Sequence, residues 1–164
     1  MRILGVDPGT RVTGYGILEL FSRPHRIVHV CHGTIRPRAC DMAGRLREIF
    51  DGLSDLVRQY GPSEVAVETT FHAMNAQSAL KLGQARGAVV LAAALLDIPV
   101  FEYTPTEIKK AACGYGHAGK DQIHAMVCTV LNIPKTAVSS MDASDALAVG
   151  LCHASARKLK GVLG

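Results

Sequence analysis

The sequence lacks the patterns that mark secreted, membrane-spanning and repeat proteins. Its five cysteines are scattered, with no C-x-x-C pair, and no signal-peptide pattern is present. We therefore expect reduced thiols and a cytoplasmic location. The longest apolar run, residues 87–96, is too short to span a bilayer, so we expect no membrane partner. No internal repeat or low-complexity linker divides the chain.

The overall composition is that of an ordinary globular protein. Hydrophobic residues make up 48% and charged residues 20% of the 164 positions, which excludes a disordered chain. A chain of this length buries a sizeable core, so we expect a single domain over residues 1–164. The formal net charge of +4 is only mildly basic and does not identify a partner by itself.

The first apolar segment ends in a carboxylate. Residues 3–6 are apolar or small, Asp7 follows them, and Pro8 and Gly9 then force a turn. A short apolar run closed by a turn signal indicates a strand that is buried on both faces. Because a charge at the end of such a strand is costly to desolvate without a partner, Asp7 is a candidate functional residue.

Hydrophobic periodicity and turn signals divide the rest of the chain into further elements. The clearest helix covers residues 41–60, where apolar side chains recur every three or four positions. Residues 64–68 indicate a strand that again ends in a carboxylate, Glu68. We predict strands at residues 3–7, 12–20, 26–35, 64–68 and 99–103, and helices at residues 41–60, 75–96, 106–113, 120–131 and 140–159.

This order of elements predicts an α/β fold with a mixed five-stranded sheet and helices on both faces. Three strands joined by hairpins come first, and a strand that follows a helical crossover normally lies parallel to its neighbour. The strands that end at Asp7 and Glu68 would then be adjacent and parallel. Since ligands bind at the carboxyl ends of strands in such sheets, both carboxylates are expected at one edge.

Two further acids lie on one face of the last predicted helix. Asp142 and Asp145 are three residues apart, and no Lys or Arg lies three or four residues from either. With Asp7 and Glu68 they form a candidate all-oxygen cluster that Mg²⁺ or Mn²⁺ would neutralise. Two such ions can activate a water and stabilise the leaving oxygen in phosphodiester cleavage. Taken singly, Asp7 also suits a turn, Glu68 a surface position and Asp142 a helix cap.

Two other patterns have simpler alternatives. His25, His29 and His32 are close in sequence, but on a strand His25 and His29 share a face and His32 takes the other. Solvent-facing histidines are therefore favoured over a metal site. Residues 114–119 match G-x-G-x-x-G, but a predicted helix precedes them, which argues against a dinucleotide site. That loop either holds a DNA phosphate at a helix N-terminus or simply connects two helices.

Basic residues and glycines in the later helices suggest two surfaces. The basic flank that a nucleic-acid duplex needs would consist of Lys81, Arg86, Lys109 and Lys120. Gly83 and Gly87 lie in one predicted helix, where each costs about 1 kcal/mol relative to alanine. We therefore expect close packing of this helix, either inside the molecule or across a dimer interface.

Taken together, the motifs resemble the RuvC family of Holliday-junction resolvases. They comprise residues 5–16, which contain Asp7; Glu68 followed by Phe71; Asn75 with residues 78–87; and residues 142–148. The run S-A-L-K-L-G-Q-A-R-G at residues 78–87 is highly specific, whereas related families share the first motif. The resemblance covers almost the whole chain.

This resemblance implies a ribonuclease-H-like fold, a homodimer, and nicking of two opposed strands of a four-way DNA junction. It implies that the reaction depends on Mg²⁺ or Mn²⁺, with two ions in each active site. The family's four acidic positions, which are catalytic and bind the metal, fall on Asp7, Glu68, Asp142 and Asp145.

The resemblance also implies where DNA and a protein partner bind. Lys109 and Lys120 fall where the family places DNA-contacting lysines, and Phe71 falls where it places an aromatic in the loop at the junction centre. Met74 stands where relatives often carry a lysine, which puts a phosphate contact there in doubt. A branch-migration motor of the RuvAB type is implied only by the resemblance.

Two functions of other classes share some of these features. A phosphotransferase of the actin and sugar-kinase type also uses an Asp-x-Gly-Thr turn after its first strand, but it needs a second lobe for which 164 residues leave no room. A non-catalytic junction-binding protein would not need all four acids. Metal-dependent nicking of DNA distinguishes the predicted nuclease from both alternatives.

Overall fold

The structure is a computed structural model of the 164-residue chain that describes residues 1–22, 25–69 and 75–159. Its strands are β1 (Arg2–Asp7), β2 (Thr13–Ser22), β3 (His25–Ile35), β4 (Glu64–Glu68) and β5 (Val100–Tyr103). Its helices are α1 (Met42–Tyr60), α2 (Ala76–Ala94), α3 (Pro105–Cys113), α4 (Lys120–Leu131) and α5 (Met141–Leu159). A short 3₁₀ helix, Lys135–Ala137, lies between α4 and α5 and was not predicted.

The five strands form one mixed sheet in the order β3-β2-β1-β4-β5. β1 is antiparallel to β2 and parallel to β4, and β4 is parallel to β5. In the β1–β4 register Val6 pairs with Val67, so the next residues, Asp7 and Glu68, lie at the same edge. The predicted sheet and the predicted pairing of these two strands are therefore confirmed.

Helices cover both faces of the sheet, as the sequence predicts. The alternation of β1 sends Leu4 and Val6 into one core with α1 and α2 and Ile3 into the other core with α3, α4 and α5. Because Asp7 is two residues beyond Gly5, both residues face α5. The acidic edge therefore lies on the α5 side of the sheet.

Local capping fixes both ends of α1 and the start of α2. The Asp41 carboxylate accepts a hydrogen bond of 2.7 Å from the amide of Gly44, and Gly61 ends α1 in the left-handed conformation at φ 56°. The Asn75 side chain accepts from the amide of Ser78 at 2.9 Å and begins α2. Within the three described ranges, no helix combines the length and hydropathy that crossing a bilayer requires.

The last helix, α5, lies directly on the sheet because glycines face it. A Cβ built at Gly5 would lie 2.2 Å from the carbonyl oxygen of Ala146. A Cβ built at Gly14 would lie 1.9 Å from the carbonyl oxygen of Asp142. Both distances are far below van der Waals contact, so any larger residue at either position would push α5 away from β1 and β2.

A bulge in β3 overturns the expected arrangement of histidines. In the β2–β3 pairing Val30 has no partner on β2, and one extra residue reverses the alternation of side chains. His29 and His32 therefore lie on one face, with His29 Nε2 2.8 Å from His32 Nδ1. The prediction that they point in opposite directions is wrong. His32 Nε2 also lies 3.0 Å from the carbonyl oxygen of Ala137, so the pair bonds β3 to the segment before α5.

Gly5→Ala should lower the free energy of unfolding by about 1–3 kcal/mol, because the added methyl group meets rigid helix backbone. Urea unfolding measures the loss. The matched control is Gly52→Ala in α1, where the nearest atom is Cδ1 of the flexible Ile35 side chain at 3.0 Å. Its cost should be offset by the gain of about 1 kcal/mol in helix propensity. Equal stability of Gly5→Ala and the wild type would contradict the close approach of α5.

Candidate active site

Asp7 and Glu68 end two adjacent parallel strands and point to the same face of the sheet. Val6 and Val67, one residue earlier on each strand, are fully buried on the opposite face. The alternation of side chains along a strand therefore turns both carboxylates toward α5. Strong backbone pairing on both sides of β1 fixes the position of Asp7.

Asp142 and Asp145 come from the first turns of α5. The backbone of Asp142 lies against Gly14, and Gly14 pairs with Asp7. The close packing of α5 on the sheet therefore carries both helix acids to the strand acids. The Ser140 hydroxyl donates to Oδ2 of Asp142 at 3.3 Å, which holds that carboxylate at the mouth of the site.

Lys120 supplies a cation to this cluster. It is the first residue of α4, and its Nζ donates to Oδ2 of Asp145 at 2.9 Å. The Asp145 side chain is only 15% exposed, whereas that of Lys120 is 70% exposed. Lys120 lies on another helix, 25 positions away from Asp145, so the spacing of residues along α5 could not reveal this partner.

The pKa values of the two strand acids reflect their crowding. Burial, followed by the negative charges of Glu68, Asp145 and Asp142, raises the pKa of Asp7 to about 8, although Lys120 acts in the opposite direction. Burial and Asp145 also raise the pKa of Glu68, and a hydrogen bond with Asp7 partly offsets this. Burial and the neighbouring acids therefore favour the protonated form of Asp7 over its carboxylate.

The four acids have the chemistry of a divalent-cation site, although they do not converge as a ligand shell. Among the residues described, no three His, Cys, Asp or Glu side chains are close enough to hold a metal ion together. Lys120 holds Asp145 and Ser140 holds Asp142 in this arrangement. Burial, and after it the negative charges of Glu68, Asp145 and Asp142, raises the pKa of Asp7, and a bound cation would favour its charged form. An all-oxygen donor set of this kind suits Mg²⁺ or Mn²⁺.

A cavity of about 310 Å³ opens beside the acids. Its charged residues are Asp7, Glu68, Asp145, Lys109 and Lys120, and its remaining lining residues are Pro105, Ile108 and Ile123. The capping box of Thr104 and Glu107 begins α3 and thereby positions Lys109. Two predicted DNA-contacting lysines therefore lie beside the predicted catalytic acids.

The other predicted DNA-contacting residues do not join this cavity. Lys81 is exposed on α2. Arg86, also on α2, forms an ion pair with Glu102 of β5, and the alternation of β5 places Glu102 on the sheet face away from α5. Phe71 and Met74 lie outside the described residues, so the predicted role of Phe71 at a junction centre stays a prediction.

The predicted glycine patterns have different outcomes. Nothing in the described structure lies within 4 Å of a Cβ built at Gly83 or Gly87, so close packing inside the molecule does not explain them. In the loop 114–119, Gly114 ends α3 in the left-handed conformation at φ 82° and Gly119 is the N-cap of α4. This loop connects two helices and brings Lys120 to Asp145, and its alternative role of holding a DNA phosphate stays a prediction.

Comparison with known proteins identifies the family. The family model described as "Crossover junction endodeoxyribonuclease RuvC" matches residues 3–153. A protein of that name from Geobacter sulfurreducens is 50% identical over 164 residues, which cover 99% of this chain and 98% of the relative. Another from Syntrophotalea carbinolica is 50% identical and covers 99% of each chain.

Solved structures agree with this assignment. RuvC of Thermus thermophilus in complex with a Holliday junction substrate superposes with a TM-score of 0.89 at 29% identity, over 98% of this chain and 96% of that chain. The fowlpox virus Holliday junction resolvase matches with a TM-score of 0.62 at 15% identity, over 95% of this chain and 99% of that chain, which shows a shared fold alone. The predicted ribonuclease-H-like fold is confirmed, and the chain belongs to the RuvC family of crossover junction endodeoxyribonucleases.

Proposed function

We propose that this chain is a structure-selective endodeoxyribonuclease that resolves four-way DNA junctions in recombination and repair. The observation that supports this most directly is the cluster of Asp7, Glu68, Asp142 and Asp145 at one sheet edge, beside a cavity with two lysines. A family member in complex with a Holliday junction substrate has the same fold over nearly its whole length. The reaction is the symmetric nicking of two opposed strands.

The four acids are the proposed catalytic and metal-binding residues. Enzymes of this family are metal-dependent nucleases, and we infer two Mg²⁺ or Mn²⁺ ions per active site. When bound, the ions would supply a nucleophilic water and stabilise the leaving oxygen. In the chain itself, a cation would compete with the proton for Asp7 and with the Lys120 ammonium group for Oδ2 of Asp145.

Lys109 and Lys120 are the proposed contacts to the DNA backbone at the cut. Both line the cavity beside Asp7 and Glu68, and an ammonium group neutralises a phosphate without requiring a particular base. When Lys120 leaves Asp145, its exposed side chain becomes available to a phosphate. The same lysine thus neutralises the acids before DNA binds and a phosphate afterwards.

We further propose a homodimer that uses α2. An exposed stripe along this helix carries Leu80, Leu91 and Leu95, which are 64%, 52% and 64% exposed, with Gly83 and Gly87 between them. Apolar side chains flanking small residues at helical spacing allow a second copy of the helix to approach closely. Two cuts related by a two-fold axis require two active sites, and an isologous interface supplies them.

The location and the protein partner are inferred from the family alone. Because the proposed substrate is a recombination intermediate of chromosomal DNA, we infer that the protein works in the cytoplasm of a bacterial cell. A branch-migration motor of the RuvAB type is the inferred partner that would deliver the junction.

Asp7→Asn should abolish nicking of a four-way junction while junction binding stays equal or becomes tighter. The amide removes a metal ligand, and it also removes negative charge from the place where phosphates approach. Cleavage gels and fluorescence anisotropy measure the two properties separately. Asp55→Asn, which loses the same charge on the exposed part of α1, should nick as the wild type does. Equal nicking by Asp7→Asn, or a parallel loss of binding, would contradict the proposal.

The stability of the metal-free protein should fall as pH rises from about 4 to about 8. The folded-state pKa of Asp7 lies near 8 and the unfolded value is 3.8, so the folded state binds more protons throughout this window. Thermal melts in EDTA measure the trend, and Asp7→Asn should weaken it. Mg²⁺ or Mn²⁺ should raise the melting temperature more at pH 8.5 than at pH 6.5, because metal binding requires loss of the Asp7 proton. A metal-induced shift that is independent of pH would contradict this.

Gly87→Leu should convert a dimer into a folded monomer. A Cβ built at this position has no described atom beyond its own helical turns within 4 Å, so circular dichroism should be unchanged while sedimentation velocity reports half the mass. Ala43→Leu on the exposed side of α1 adds a similar side chain elsewhere and should leave the dimer intact. A wild-type monomer that nicks both strands, or a Gly87→Leu dimer, would rule out this interface.

A further inference from the structure

The arginines of the described residues differ in their partners. Five form ion pairs, namely Arg2–Glu19, Arg47–Asp51, Arg58–Asp55, Arg86–Glu102 and Arg157–Glu64. Arg26 lies over the ring of Phe21, 5.1 Å from its centroid. Four arginines remain among the described side chains: Arg11, Arg36, Arg38 and Arg45. None of them lies within 4.0 Å of a carboxylate oxygen of the described residues.

These four residues, called here the arginine edge, lie at the same end of the sheet as the catalytic acids. Asp7 pairs with Gly14 on β2, and Gly14 pairs with Thr34 on β3. Thr34 therefore lies roughly 10 Å from Asp7, at about 4.8 Å per strand. Arg36 is two residues beyond Thr34, and Arg11 lies in the turn between β1 and β2.

The carboxylates nearest in sequence to Arg36, Arg38 and Arg45 accept hydrogen bonds from backbone amides. Both oxygens of Glu48 accept from the main chain, one from the amide of Arg38 at 2.7 Å and the other from the amide of Ala39 at 3.0 Å. Asp41 accepts from the amide of Gly44 as the cap of α1. These acids shape the loop between β3 and α1 and form no ion pair with the three arginines, which therefore keep N–H donors for another anion.

The same hydrogen bonds hold the loop in one shape. Besides the Glu48 bonds, Nε of Arg45 donates to the carbonyl oxygen of Ala39 at 2.9 Å. Nε of Arg36 donates to Oγ1 of Thr34 at 3.2 Å, which leaves its terminal nitrogens unused. Arg11, Arg36 and Arg38 are exposed. A loop that is already ordered loses little conformational entropy when it binds a ligand.

We propose that the arginine edge binds the phosphate backbone of one duplex arm beside the cut, on the β2–β3 side of the acids; this inference rests on the proposed function. Guanidinium groups bind phosphates through paired N–H donors. A distance of roughly 10 Å from Asp7 corresponds to about three nucleotides at 3.4 Å per step. Thr34 lies at that distance and Arg36 is two residues beyond it, so the arm reaches Arg36 about three or four nucleotides from the scissile phosphate. Lys109 and Lys120 neutralise the phosphate at the cut itself.

The test is the double substitution Arg36→Gln with Arg38→Gln, assayed for binding to a four-way junction over a range of salt concentrations. Each lost phosphate contact reduces the slope of log K against log salt by about 0.9, so the slope should fall by about two. Exposed glutamines should leave the thermal melt unchanged. Arg36→Lys with Arg38→Lys keeps both charges and should retain the slope.

The matched control is Arg47→Gln with Arg58→Gln, which loses the same charge from two ion-paired arginines on α1 and should keep the wild-type slope. A neutral methylphosphonate placed three or four nucleotides from the cut should weaken wild-type binding and have little further effect on the Arg36/Arg38 glutamine variant. If that variant binds as the control does, the arginine edge does not contact DNA, and an acidic protein surface becomes its partner. If the wild type itself neither binds nor nicks the junction, the proposed function fails as well.

Discussion

The acidic cluster depends on how closely α5 approaches the sheet. At Gly5 and Gly14 the helix backbone occupies the space that a side chain would fill, and this contact carries Asp142 and Asp145 to Asp7 and Glu68. Four carboxylates from three separate elements then share one edge, and the free energy of core packing around α5 offsets their repulsion. Burial first, and then the repulsion among these acids, raises the pKa of Asp7.

Positive charge surrounds this acidic edge in two layers with different partners. Lys120 bonds to Asp145 directly and therefore competes with any metal ion for the same oxygen. The arginine edge has no carboxylate partner in the described residues and lies about two strands away, where it can bind DNA without disturbing the acids. We infer that Lys120 changes its partner during the reaction, whereas the arginine edge positions the substrate.

Local patterns in the sequence predicted most of the fold, including the common edge of the two strand acids. The apolar run before Asp7, the helix period of residues 41–60 and the parallel pairing of the strands at Asp7 and Glu68 are all present in the structure. Contacts between distant segments could not be predicted in this way. The Lys120–Asp145 bond joins residues that are 25 positions apart. Gly5 matters because it lacks a side chain where α5 approaches the sheet. One unpaired residue in β3 turns His32 to the opposite face from the one expected.

We infer that the α5 contact builds a divalent-cation site in which metal replaces Lys120 on Oδ2 of Asp145. A crystal structure with Mn²⁺, with the metal located by anomalous scattering, would test this inference. We expect manganese bound by Asp7, Glu68 and at least one acid of α5, with Lys120 Nζ displaced from its 2.9 Å bond to Asp145. Manganese bound elsewhere, or an intact Lys120–Asp145 bond with no metal at the acidic edge, would contradict it.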